Sequence, residues 1–147
     1  MIAIYTNLLV FAHRSRVPEH RAAREAIEKA SMDSAGWGFT LTNLLEFWSI
    51  VTHPSAPPRP STPVEASAFL QALTRDADAQ IWLPREGFDQ RLTRLGSRLR
   101  VSGPRIFDLT IGLTALESGA SEIWTNDRGF LPIPGLRVAF PLIDSVD

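Results

Sequence analysis

Short apolar runs alternate with longer segments of helical periodicity from one end of the chain to the other. Runs of three or four apolar residues suit strands buried on both faces, and repeats at three and four suit the helices that cover them. Ile2 to Tyr5 predicts a first strand. Pro18 suits the first turn of a helix, in which Ala22, Ala23, Ala26, Ile27 and Ala30 form a narrow apolar stripe. Trp37 to Phe39 predicts a second strand, and Leu44, Leu45, Trp48 and Val51 share one face of the helix that follows. His53 to Pro63 predicts a loop, because each proline lacks a donor and restricts the residue before it.

Thr62-Pro63-Val64-Glu65 has the form of a capping box with proline at the first helical position, so a helix is expected from there to about Arg75. Ile81, Trp82 and Leu83 predict a third strand. Phe88, Leu92, Leu95 and Leu99 repeat as one helix face, and Ile106, Leu109, Leu113 and Leu116 do so again after the break at Ser102-Gly103-Pro104. Gly119 suits a left-handed stop. Glu122 to Thr125 and Arg137 to Phe140 complete the set as strands four and five. Strand and helix in regular alternation predict an α/β fold, a parallel sheet with helices on both faces. With 147 residues and no internal repeat, one domain over residues 1–147 is expected.

Composition narrows the chemistry. The absence of cysteine excludes disulfides, thiolate zinc sites and thiol catalysis. No apolar run approaches membrane-spanning length, and a strand from Ile2 leaves no room for a signal segment, so a cytoplasmic protein without a membrane role is expected. A net charge of −1 gives no global basic field, yet Lys29 is the one lysine among fifteen basic residues. Arginine in such excess suits bidentate phosphate contacts and equally reflects a GC-rich coding sequence. Gly36-Trp37-Gly38 does not follow a strand and open a helix, so nucleotide-cradle fingerprints are absent. His13, His20 and His53 lack the spacing of a helical metal pair.

In an open parallel sheet, ligands bind beyond the carboxyl ends of the strands. The polar residues there are Tyr5, Thr6 and Asn7 after strand one, Asn43 and Glu46 beyond strand two, and Thr125, Asn126 and Asp127 after strand four, with Asp108 early in a late helix. Three carboxylates converging without a cationic partner invite a hard divalent ion. Each acid also has a plain structural reading. Glu46 stands three residues after Asn43 and suits a capping arrangement, Asp108 suits the helix dipole, and Asp127 in NDRGF suits a turn.

The ordered set IYTNLLVFAHR, LLEFWSIVTHP, RIFDLTIGLTALESGASEIWTNDRGF and PGLRVAFPL resembles the PIN-domain ribonucleases, in particular the VapC-type toxins of bacterial toxin–antitoxin pairs. The resemblance implies an α/β/α sandwich with a five-stranded parallel sheet of order 3-2-1-4-5. It implies an acid cluster that binds Mg²⁺ or Mn²⁺ and hydrolyses RNA. Glu46, Asp108 and Asp127 stand at the family's acid positions, with Thr6, Asn7 and Thr125 in support. Tyr5 stands where the first aspartate belongs, and Gly129 replaces what is often another acid. A phenol is neutral at physiological pH, so the site loses a full ligand charge and impaired activity is expected. Either an active toxin carries a lesion at position five, or the protein is a degenerate module that binds RNA or antitoxin without cleavage. The resemblance further implies a homodimer and a VapB-type antitoxin lying across the acids.

Arg91, Arg94 and Arg98 share a helix face opposite its apolar stripe, which reads as a solvated face or as a phosphate contact. Arg14, soon after the first strand, is the better single candidate for contact with substrate. A phosphotransfer receiver domain is the distant rival and lacks its lysine, because Lys29 falls in the first predicted helix.

Overall fold

The computed structural model describes residues 1–143, so the end of the expected domain, 144–147, lies outside the described residues. Five strands run in chain order as β1 (Ile2–Ile4), β2 (Trp37–Thr40), β3 (Gln80–Trp82), β4 (Glu122–Trp124) and β5 (Arg137–Ala139). They pair in parallel in the order β3-β2-β1-β4-β5, the arrangement that the resemblance implied. Six helices connect them: α1 (Thr6–His13), α2 (His20–Ser31), α3 (Leu41–Thr52), α4 (Pro63–Asp76), α5 (Phe88–Arg98) and α6 (Arg105–Glu117).

Strand side chains alternate between two cores, as the two-residue period of a strand requires. Ile2, Ile4, Trp37, Phe39 and Trp124 pack with residues of α1, α2, α3 and α4 on one face. Ala3, Trp82 and Ile123 pack with α6 and the inner edge of α5 on the other. The result is helix, sheet, helix in three layers.

Besides β4 and β5, which each end one residue earlier than predicted, at Trp124 and Ala139, the structure departs from the sequence reading in four places. The first strand ends at Ile4, and Tyr5 is the N-cap of α1, a helix that the periodicity did not reveal. TNLLVFAH has no polar face to give it a period, because α1 packs between the sheet, α2 and α3. The predicted helix at Pro18 begins instead at His20 and is α2. On α3 the buried positions are Asn43, Phe47 and Val51, with Leu44 and Trp48 packed beside them, whereas Leu45 is 58% exposed. The third strand lies one residue earlier than expected, leaving Leu83 beyond it and exposed.

The other signals act as read. The capping box at Thr62 opens α4, with Glu65 closing it in both directions. Gly119 ends the α6 turn at φ +103°, a conformation that costs glycine little. Gly38 is needed for close approach: a Cβ there would overlap the Gln80 carbonyl of the neighbouring strand. Since that obstacle is backbone in the sheet interior, Gly38→Ala is expected to lower stability by about 1–3 kcal/mol or more. Urea unfolding followed by circular dichroism measures it, and an unchanged midpoint would contradict the packing described.

Candidate active site at the carboxyl edge of the sheet

β1 delivers its last residue into the middle of the carboxyl edge. The Tyr5 N–H still donates to the Trp124 carbonyl at 2.9 Å, prolonging the β1–β4 ladder by one bond. The phenol caps nothing in α1. It reaches across the edge and donates to Asp108 Oδ1 at 2.6 Å. Phe130 holds the ring edge-on, with centroids 5.2 Å apart. Burial first, then this hydrogen bond and the charges of Asp108, Glu46 and Asp127, push the phenol's pKa well above its ordinary value. Tyr5 is therefore a neutral donor in an acidic neighbourhood.

Asp108 sits in the first turn of α6, where the helix dipole favours a carboxylate. Glu46 projects from α3 and accepts a hydrogen bond from Thr6 Oγ1 at 2.8 Å. Its pKa is raised, chiefly by burial and further by the charge of Asp108, against the opposing effect of the Thr6 bond. The capping reading of Glu46 does not hold: the box at the start of α3 consists of Thr40 and Asn43, leaving Glu46 free of it.

Beyond β4, Asn7 Nδ2 donates to Thr125 Oγ1 at 3.2 Å, and the Asn126 N–H donates to Asn7 Oδ1 at 3.2 Å. Thr125 Oγ1 also accepts the Asp127 N–H at 3.1 Å. These bonds fasten the start of α1 to the end of β4. Asp127 faces outward, and its Oδ1 accepts the Gly129 N–H at 2.8 Å. The expected three-carboxylate cluster is thus not assembled. Among the described residues no three acidic or histidine side chains are close enough to hold one ion together. The turn engages Asp127, and the Tyr5 phenol engages Asp108. No cation compensates the acids either, since the ion pairs among the described residues involve Glu25, Glu65, Glu117 and Glu122.

Arg14 falls elsewhere than its sequence position suggested, whereas Arg91, Arg94 and Arg98 share one face of α5 as read. Arg14 stands at the opposite end of α1 from Thr6, about 12 Å along an eight-residue helix. Its guanidinium donates to the carbonyls of Pro57 at 2.7 Å, Arg59 at 3.0 Å and Val51 at 3.0 Å, and so holds the proline-rich loop. Arg91 is bound through two bonds to Glu117, at 2.6 and 2.9 Å. Arg94 and Arg98 make no ion pair among the described residues and line a depression of about 200 Å³ with Leu95 and Leu113. Sequence reasoning missed one contributor to the site, Phe130, which seats Tyr5; Asn43 was placed beyond strand two by its position, but its bond to Thr6 was not foreseen.

The raised pKa of Glu46 has a sign that can be checked. The folded state holds a proton on Glu46 more tightly than the unfolded chain does, so the stability linked to it is present in acid and lost as pH rises through the raised value. At neutral pH the half-buried carboxylate weakens the fold. Glu46→Gln, still able to accept from Thr6, is expected to raise Tm at pH 7 by roughly a few degrees, with the gain vanishing below the ordinary glutamate pKa. Thermal unfolding in the presence of a chelator tests this, and a Tm lowered at pH 7 would refute it.

Comparison with known proteins places the chain in a family. The PIN domain family model matches residues 2–136. The chain is 30% identical over 142 residues to "VapC ribonuclease Mb2897" of Mycobacterium bovis, covering 97% of this chain and 96% of that one. "Ribonuclease VapC43" of Mycobacterium tuberculosis gives the same figures, and "Ribonuclease VapC24" is 27% identical over 143 residues, covering 97% of both chains. With a matching family model over nearly its whole length and relatives aligned end to end, the chain belongs to the PIN-domain family.

Proposed function

We propose that this chain is a VapC-type endoribonuclease of a toxin–antitoxin pair, acting in the cytoplasm as one domain, with its metal-dependent centre weakened by Tyr5. The observation that supports the reading is the Tyr5–Asp108 hydrogen bond, made where the charges of Glu46 and Asp127 also act on the phenol. Glu46 and Asp108 would hold Mg²⁺ or Mn²⁺. Each has one oxygen engaged by a hydroxyl and a second with no side-chain partner among the described residues. That donor set suits magnesium, which keeps several waters and takes one or two carboxylates. When bound, such an ion activates water and neutralises charge on the scissile phosphate. Asp127 stands near enough for its charge to act on Tyr5 and completes the set through the outer shell.

Thr6, Asn7 and Thr125 hold the acids and the strand ends in place. Arg94 and Arg98 are the free cations of the α5 face and the candidates for RNA phosphate contact, with Arg91 set by Glu117 and Arg14 by the loop. A VapB-type antitoxin and a second copy of the chain are the protein partners. The exposed Leu45 and Phe107, sequence neighbours of Glu46 and Asp108, offer apolar contact beside the acids. One observation favours the second reading, a module that binds without cutting: the phenol is well housed, packed on Phe130 and with its proton satisfied.

Two experiments separate the readings. Tyr5→Asp is expected to tighten Mn²⁺ binding by at least about tenfold in calorimetry, because a ligand charge returns to the site, and to establish Mn²⁺-dependent RNA cleavage. Adding Asp108→Asn should silence it. A folded Tyr5→Asp protein that binds Mn²⁺ and leaves RNA intact would favour the binding module. Replacing Arg94 and Arg98 by alanine is expected to flatten the salt dependence of RNA affinity, the log–log slope falling by roughly 0.7 for each lost phosphate contact. An unchanged slope would remove the α5 face from the interface.

A further inference from the structure

The start of α3 contains a chain of hydrogen bonds whose direction is determined at every link. The Thr40 N–H donates to Asn43 Oδ1 at 2.9 Å, and Thr40 Oγ1 donates to the same oxygen at 2.8 Å. Two donors on one atom settle which end of the Asn43 amide is oxygen. Its nitrogen therefore turns toward α1 and donates to Thr6 Oγ1 at 3.0 Å. A threonine hydroxyl has a single proton. With Thr6 Oγ1 accepting from Asn43, that proton is directed to Glu46 Oε1 at 2.8 Å. Asn43 is 1% exposed and Thr6 4%, so bulk water does not compete for either group.

We infer that Asn43 is a positioning residue for Glu46. By fixing the direction of the Thr6 hydroxyl it pins Oε1 and leaves Oε2 as the oxygen presented to whatever binds at the edge. A half-buried carboxylate on a flexible side chain needs such an anchor, since its own burial favours withdrawal or protonation. The inference rests on the reading of Glu46 as part of a nuclease site.

Asn43 also caps α3, and one substitution separates the two roles. Asn43→Asp keeps the oxygen that accepts from Thr40 and removes the amide donor. Its second oxygen becomes an acceptor facing Thr6, so the hydroxyl turns toward residue 43 and Glu46 loses its bond. Thr6→Val deletes the hydroxyl at nearly constant shape, and Thr6→Ser retains it. In the unaltered chain without metal, side-chain couplings measured by NMR should give Glu46 one dominant rotamer. Thr6→Ser should preserve it, and Thr6→Val and Asn43→Asp should average it. If Asn43→Asp leaves the Glu46 rotamer as it was, the residue is a cap alone and the inference is overturned. Should the buried charge prevent folding, Asn43→Ser is the comparison to make: it is neutral, keeps the backbone bond to Thr40 Oγ1 and is too short to reach Thr6.

In the Tyr5→Asp protein the same relay should act on turnover. Thr6→Val and Asn43→Asp are each expected to lower kcat about 10–100-fold with KM for RNA unchanged, the usual cost of losing an outer-shell partner. Because both break one chain, the double variant should be no slower than the slower single one. Losses that multiply would show that the two residues act independently and would overturn the inference. If Tyr5→Asp itself cuts no RNA, the assignment of function fails while the rotamer comparison still decides the positioning.

Discussion

Everything at the site depends on β1 being enclosed. It pairs with β2 on one side and β4 on the other, and helices cover both faces of the sheet. Ile2, Ala3 and Ile4 therefore have no exposed face on which to place polar chemistry. Tyr5 is the first residue able to meet solvent, and it does so at the centre of the edge. Parallel pairing returns the chain to this edge after every strand, so Thr40 at the end of β2 and Thr125 just after β4 fall on either side of it. α6 packs on the opposite face from α1 and carries Asp108 to the same place through its first turn. The topology assembles the constellation, and the side chains decide what it does.

Two hydroxyls meet two carboxylates there, with different consequences. Thr6 is short, and its proton is steered to Glu46 by Asn43, so the bond orients an acid without displacing any charge from the site. Tyr5 is long and brings an apolar ring to the edge, seated on Phe130. Its bond to Asp108 takes up one of that acid's oxygens. The first hydroxyl serves a ligand at the edge, and the second competes with it.

What was legible in the sequence follows from the same physics. Strands buried on both faces read as apolar runs, and α2, α4 and α5 have solvent faces that give them a period. α1 has no such face and stayed hidden between its neighbours. That omission displaced Arg14: without the helix it stood just past a strand, and with it the side chain lies a helix length away, bound to loop carbonyls. Leu45 fitted the apolar spacing of α3 as well as Leu44 did, and only packing against the sheet decides between them. The acids were legible because position after a strand is a topological property. The direction of their oxygens was not, since Asp127 turning to Gly129 and Thr6 turning to Glu46 depend on single hydrogen bonds.

A phenol at the centre of an acidic edge changes how that edge meets a cation. Opposed acids repel, and that repulsion is the driving force with which an acidic edge takes up a cation. Tyr5 reduces it twice, by carrying no charge and by donating to Asp108. An incoming divalent ion then finds less charge to neutralise and must also compete with a proton for Asp108. Glu46 keeps the unfavourable features of an active-site acid, half-buried and uncompensated by any ion pair among the described residues. A fold with no use for that carboxylate would gain by losing it. The carboxylate stands beside a buried amide that caps α3 through its oxygen and, through its nitrogen, directs the Thr6 proton to Glu46, and on that geometry the proposed ligand site rests.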